Sequence, residues 1–267
     1  MRKLFSFFPQ PFCSCSSPSG GFPGGNFLVF LFSCVRVCFI VYYFLFLLDL
    51  SLCYYIFMNG FFITFEGMEG SGKSTQVGLL GSRLKEEGFD IVATREPGGT
   101  RIGELIRNIT HGRENVDLTV VAEAYLMAAA RAQLVREIIA PALKNGKIVI
   151  VDRFIDSSLA YQGYGRRLGV SIIEQLNKEA IKGLIPDLTI FLDVSPSVGF
   201  SRRNGTDKID RLDLQQKDFY ERVYDGYNKI IKKDKNRFLV IDSSQPIEKV
   251  AEEIWNIVEE KIKTLAK

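Results

Sequence analysis

Residues 58–267 contain no cysteine. That stretch offers no disulfide framework, no thiolate zinc site and no cysteine nucleophile. Histidine is nearly absent as well. His111 is the only one, and it falls in a polar turn that reads as surface. No Ser-His or Cys-His nucleophile system can be built from this composition. An excess of one charge is also lacking: the formal net charge of +3 is too small to argue for nucleic acid as a partner. No internal repeat is visible. What remains is an ordinary soluble composition of about 210 residues, enough for one well-buried core.

Residues 1–57 are the reverse. They hold all five cysteines (Cys13, Cys15, Cys34, Cys38 and Cys53) and 12 of the 21 phenylalanines, but only four charged residues, Arg2, Lys3, Arg36 and Asp49. Positions 1–26 read as loop, from their prolines and glycines. Phe27 to Leu48 is almost wholly apolar for 22 residues, long enough to cross a bilayer. Arg36 interrupts it near the middle, where a charge is costly. A signal peptide fits badly, because the apolar run starts late and no small-residue cleavage site follows. A transit peptide should be Arg-rich and amphipathic. Three readings stay open: translated leader that is not native protein, a membrane anchor, or another targeting role. The expectation is the first, with the domain spanning 58–267 from Met58, just before the first strand, and residing in the cytoplasm. Only the second would add a membrane as partner.

Across 58–267, apolar β-branched runs alternate with segments of helical period. Strands are expected at 61–65, 89–94, 148–151, 188–194 and 238–241. Helices are expected at 74–88, 101–110, 122–144 (with a disturbance at Pro141), 171–182, 198–203, 212–233 and 247–262. The strands are continuously apolar rather than alternating, the pattern of a parallel sheet covered on both faces. A five-stranded α/β sheet follows, with its ligand at the carboxyl ends of the strands. Glu66-Gly67, Arg95, Asp152-Arg153 and Asp193 all fall there.

The most specific motif is Gly67-Met68-Glu69-Gly70-Ser71-Gly72-Lys73-Ser74-Thr75, which fits G-x-x-x-x-G-K-[ST] between a strand and a helix. Its glycines let backbone N–H groups wrap a phosphate, and the helix N-terminus faces the same anion. Lys73 would reach the β/γ-phosphates of ATP and Ser74 would ligate Mg²⁺. Asp152, after the run IVIV, is placed like an acid that orients Mg²⁺, with Arg153 beside it. A surface ion pair is the alternative for Arg153. Arg95, before Pro97-Gly98-Gly99, is either a phosphate-binding guanidinium or a solvated loop residue. Met127 and Arg131 share one helical face. They could floor and read a base, or be a core methionine and a snorkelling arginine. Arg202, Arg203 and Arg211 bracket a polar segment that reads equally as a closing lid or a solvated basic loop.

Together these residues resemble the thymidylate kinase family, of the bacterial type. The resemblance runs from Met58 to about Ala266 and rests on FEGMEGSGKST, TREPGGT (94–100), Arg131-Ala-Gln133 and DRFIDSSLAYQG (152–163). It implies ATP-dependent phosphorylation of dTMP to dTDP with Mg²⁺, in a homodimer of the P-loop kinase fold with a lid. It implies that Lys73 and the loop amides hold ATP phosphates, and that Glu69 lies near the acceptor sugar. Arg95 and Arg153 would hold the dTMP phosphate. Arg131 would bond the thymine edge, helped by Ser158, and Tyr161 and Tyr227 would line the sugar pocket. Pro97 matches a proline often found after a cis bond. The loop 68–71 carries no arginine, so Arg202, Arg203 and Arg211 would supply charge at the γ-phosphate. One departure stands out: Met127 occupies the position where the family usually stacks a phenylalanine on the base. The rival readings are another P-loop nucleotide or nucleoside kinase, and a membrane-tethered nucleotide-binding regulator.

Overall fold

The computed structural model describes residues 60–203, 211 and 215–265. The proposed leader or anchor at 1–57, including 27–48, lies outside the described residues. Among those described, no helix is long and apolar enough to cross a membrane.

Five strands form one all-parallel sheet in the order β2-β3-β1-β4-β5. They are β1 (Phe61–Gly67), β2 (Ile91–Arg95), β3 (Ile148–Asp152), β4 (Leu188–Asp193) and β5 (Phe238–Asp242). The central strand β1 is buried at every position, as expected of a run apolar on both faces. Its odd residues Phe61, Ile63 and Phe65 pack with Leu80 and Leu84 of α1 (Lys73–Glu86). Val250, Ile254 and Val258 of α9 (Ile247–Leu265) complete that layer. Each such buried aliphatic side chain contributes about 1.5–3 kcal/mol. The opposite face receives α3 (Val120–Leu134) and α8 (Lys217–Lys233), through Leu134 against Phe62 and Val151, and Tyr227 against Phe191.

The even positions of β1 become polar toward its carboxyl end. Thr64 shares a 2.9 Å hydrogen bond with Thr189, and Glu66 is fully buried. The chain leaves β1 toward β2 on one side, and leaves β4 toward β5 on the other. The crevice where these directions diverge is where ligands bind in such sheets.

The expected long helix is interrupted. After α3 the backbone widens into a π-helical turn, Val135–Ile139, and then resumes as α4 (Ala140–Lys144). Ala140 donates to Val135 O rather than to Arg136. This wider turn makes room for Pro141, which lacks an N–H and crowds the carbonyl four residues back. A helical stretch with no clear sequence signal follows β3: α5 (Ile155–Ser158) leads directly into a π-helical turn, Leu159–Gly165. The others are α2 (Arg101–His111), α6 (Val170–Ile181) and α7 (Pro196–Arg203). The helix expected from 212 is seen only from Lys217; residues 212–214, and 204–210 of the expected lid, are not described.

Candidate active site

The loop after β1 is shaped by left-handed glycines: φ is 142° at Gly67, 74° at Gly70 and 91° at Gly72. A Cβ at Gly70 would also come within 2.2 Å of Gly199 O, so only glycine fits there. Gly72 caps α1 without a side-chain hydrogen bond. By contrast, α2 and α3 are capped by Thr100 and Thr119. The first N–H groups of α1 are thus left for an anion. Of this loop, Met68 contributes backbone only, since its side chain lies in the core.

Lys73 is buried, and its Nζ donates to Met68 O (2.8 Å), Gly67 O (3.1 Å) and Ser71 Oγ (3.3 Å). Burial, and then the neighbouring Arg153 guanidinium, lower its ammonium from 10.5 to about 8. A bound polyphosphate would raise it again. Ser74 Oγ donates to Asp152 Oδ2 at 2.7 Å. A hydroxyl and a carboxylate meeting at the mouth of a phosphate loop suit a hard cation that keeps several waters and takes its remaining oxygens from substrate.

Opposite the lysine, Arg153 is held at φ 72° immediately after β3. Left-handed backbone at a bulky residue is uncommon and clusters at functional sites. The conformation turns the guanidinium back across the loop. Nη2 donates to Glu69 Oε1 (2.9 Å) and Tyr161 Oη (3.3 Å). Nη1 donates to Gly67 O (3.1 Å), Ser157 Oγ (3.1 Å) and Tyr227 Oη (3.2 Å). Burial raises the Glu69 carboxyl, but Arg153, Lys73 and the Tyr161 hydroxyl outweigh it and hold it below its usual range. Glu69 therefore stays ionised at neutral pH.

A cavity of about 530 Å³ joins these groups. Its lining includes Lys73, Ser74 and Asp152 as well as Met127, Arg131 and Ser158, with Arg95, Arg153 and Tyr161 also on the wall. Arg95 is half exposed, and its Nη2 donates to both Glu104 carboxylate oxygens (2.9 and 3.0 Å). The peptide bond between Glu96 and Pro97 is cis. Arg131 is almost fully buried: it donates to Glu96 Oε2 (2.8 Å), to Phe154 O (3.0 Å) and to Asn177 Oδ1. It is neither snorkelling nor solvated.

Three expectations are corrected by this geometry. Tyr227 does not line the cavity. It is fully buried one layer behind, donating to Glu66 Oε2 at 2.8 Å and sharing 3.0 Å with Ser157 Oγ, because α8 packs its ring against Phe191. Arg211 is not a free basic residue of a loop. It is buried and bonded to Thr110 O (3.0 Å) and to Glu123, where a carboxylate sunk in the core requires a counter-charge. His111 is not a surface turn residue; it ends α2, shares 2.9 Å with Thr110 Oγ1, and stands on the cavity wall. Of the other lid arginines, Arg202 donates to Ser243 O (3.0 Å) and Gly70 O (3.4 Å). The Arg203 side chain lies outside the described residues. Arg202 borders a second cavity of about 430 Å³, between the phosphate loop and Ser243–Val250.

Glu66, Glu96, Arg107, Ser157 and Gln162 also build the site, although the sequence reading gave them no role. Glu66 accepts from Phe154 N (2.8 Å), Ser157 N (3.2 Å) and Ser157 Oγ (2.5 Å). Burial, and then Asp156, raise its carboxyl. Burial likewise lifts Glu96 to about 7, against the pull of Arg131. Arg107, on the cavity wall, donates to Pro97 O at 3.0 Å. The available signals were the charged end of a strand for Glu66, the TREPGGT segment for Glu96 and the DRFIDSSLAYQG segment for Ser157 and Gln162; Arg107 had none.

A family model described as thymidylate kinase matches residues 65–254. A thymidylate kinase of Caldanaerobacter subterraneus subsp. tengcongensis is 48% identical over 206 residues, covering 77% of this chain and 98% of that protein. One of Geobacillus thermodenitrificans is 47% identical over 198 residues, covering 73% of this chain and 88% of that one. Among solved structures, the thymidylate kinase of Ehrlichia chaffeensis superposes with a TM-score of 0.62 at 38% identity, covering 75% of this chain and 99% of its own. With a phosphate loop, a strand-end acid and an opposed arginine around one cavity, and relatives matched over nearly their whole length, the chain belongs to the thymidylate kinase family.

Proposed function

We infer that the residues around this cavity are the machinery of the family's reaction, ATP-dependent phosphorylation of dTMP to dTDP. The observation that carries the reading is that one cavity is lined both by the phosphate loop and by Arg95, Met127, Arg131 and Ser158. Donor and acceptor phosphates can therefore meet between Lys73 and Arg153. A 5′-phosphate oxygen of dTMP attacks the γ-phosphorus of ATP in line. The bond from phosphorus to the bridging oxygen breaks, and ADP leaves. The acceptor is already an anion, so no strong general base is required. The difficulty is bringing two anions together, which preorganised positive charge on Lys73 and Arg153 meets.

Arg95 would hold the acceptor phosphate with Arg153, and Glu69 would take the sugar hydroxyl. Tyr161, fixed between Arg153 and Glu69 (Oη to Glu69 Oε2, 2.5 Å), would crowd a 2′-hydroxyl. Arg131 and Ser158 would meet the thymine edge, and Met127 would pack on its ring. The second cavity beside Arg202 is suited to the rest of ATP. Ser74 and Asp152 would hold Mg²⁺, whose charge would neutralise the β- and γ-phosphate oxygens. A homodimer is supported by Leu105 and Ile109 of α2 and Val121 and Tyr125 of α3, which leave apolar side chains exposed. A coupled ADP-release assay of the full chain with dTMP, dUMP, dCMP and dGMP tests the reading. Turnover should be greatest with dTMP; turnover only with another acceptor refutes it.

A further inference from the structure

Glu123, on α3, is fully buried, a position an ionised carboxylate holds only when its oxygens are partnered. Oε1 accepts from Gln162 Nε2 at 2.7 Å. Oε2 accepts from Arg166 Nη2 at 3.2 Å and from Arg211. Burial raises the carboxyl, but Arg166, and then Arg211 and Gln162, outweigh it and hold it below its usual range. Glu123 is therefore ionised at neutral pH and can only accept hydrogen bonds. A side-chain amide has two faces, one that donates and one that accepts. With Nε2 committed to a carboxylate, the amide of Gln162 cannot turn over without setting its carbonyl oxygen against that charge. Gln162 lines the cavity, and its Oε1 accepts no hydrogen bond among the described residues.

We propose that Glu123 is a positioning residue for base selection: it fixes the Gln162 amide with its carbonyl oxygen toward the cavity. There the oxygen accepts from the N3–H of thymine or uracil and opposes the bare N3 of cytosine. This rests on the reading that the cavity takes dTMP. Arg166 and Arg211 keep the device charged. Arg166 is itself anchored to Gln215 Oε1 at 2.6 Å and lies over the Phe219 ring.

The test is steady-state kinetics on the full chain with ATP and dTMP, dCMP or N3-methyl-dTMP. The unmodified chain should use N3-methyl-dTMP at least about tenfold less well than dTMP, since the carbonyl loses its donor. Glu123→Gln should lower kcat/KM for dTMP by about ten- to a hundredfold, mainly through the dTMP KM, leave the ATP KM in place, and narrow the preference for dTMP over dCMP. Placed on Gln162→Met, it should add little, because the two act as one unit. Glu123→Asp keeps the charge for Arg166 and Arg211 but draws the carboxylate back by one methylene, and should give the same pattern more weakly. It decides the matter if Glu123→Gln does not fold. Equal use of N3-methyl-dTMP, an unchanged dTMP:dCMP preference in a folded Glu123 variant, or additivity with Gln162→Met overturns the inference alone. A chain that phosphorylates no dTMP overturns the reading beneath it.

Discussion

Replacing Lys73 with methionine should end catalysis and at the same time remove a pH-dependent weakness of the free protein. In the fold the ammonium is buried beside Arg153 and titrates near 8, against 10.5 for an ordinary lysine. Below pH 8 both folded and unfolded chains hold the proton, and the fold carries the cost of the buried charge. That cost is about 3 kcal/mol. Between pH 8 and 10.5 the unfolded chain binds the proton more than the folded one, so stability rises with pH. The cost is gone once both states are neutral. Lys73→Met also loses hydrogen bonds to Gly67 O, Met68 O and Ser71 Oγ, but an uncharged lysine amine still donates to the two carbonyls and can accept from the Ser71 hydroxyl, so that loss is similar at both ends of the range. The change with pH is therefore the clean readout. Urea unfolding of both proteins at pH 7 and pH 10.5 should show the wild type gaining about 3 kcal/mol relative to the variant. Tyrosines and other lysines titrate in both proteins and cancel. Turnover of the variant should fall by about two to three orders of magnitude. A stability difference that does not move with pH would refute the buried-charge argument, and near-normal turnover in the folded variant would refute the role of the phosphate loop.

Arg131→Met leaves the Glu96 carboxylate buried without its partner; it should destabilise the fold by about 3–5 kcal/mol in urea unfolding and raise the dTMP KM more than the ATP KM, and an unchanged unfolding curve would show the pair to be dispensable. Met127→Phe should keep activity or tighten dTMP, read as an equal or lower KM; a rise would mean that the cavity cannot take the ring. Arg202→Ala should lower kcat more than it raises the dTMP KM, whereas Arg211→Ala, which bares Glu123, should lower the melting temperature; the reverse pattern would undo the distinction between them. Residues 58–267 expressed alone should phosphorylate dTMP, since every residue given a role lies between Glu66 and Val250; an inactive product would tie function to the preceding segment.

Much of this site was legible along the chain because its parts are local. The phosphate loop is nine consecutive residues, with a strand before it and a helix after it, and its glycines answer to backbone geometry that neighbours do not alter. Asp152 and Arg153 were readable because a run of four apolar β-branched residues announces a buried strand, and the strand's end locates the crevice. The helical conformation of α5 and the following π-helical turn was not legible, because no 3.6-residue period marks 155–165; it follows from packing under α8 and from Ser157, whose N–H and hydroxyl both meet Glu66.

Burial removed one of the alternatives left by spacing alone. Met127 and Arg131 on one helical face fit either a base-reading pair or a core residue with a solvated arginine. Only the approach of Glu96, Phe154 and Asn177, from three separate segments, made Arg131 a buried, fixed donor on a cavity wall. Arg211 read equally as a lid or a solvated-loop residue, and the resemblance placed Tyr227 on a pocket wall. Each went instead to a buried carboxylate, Arg211 to Glu123 and Tyr227 to Glu66. A carboxyl group inside a core must be matched from wherever the chain can reach it, across 88 residues in one case and 161 in the other. Local sequence determined the sheet, the phosphate loop and the family. Long-range pairing of buried carboxyl groups in a low-dielectric interior, which no short window of sequence contains, decided which arginine and which tyrosine line the cavity.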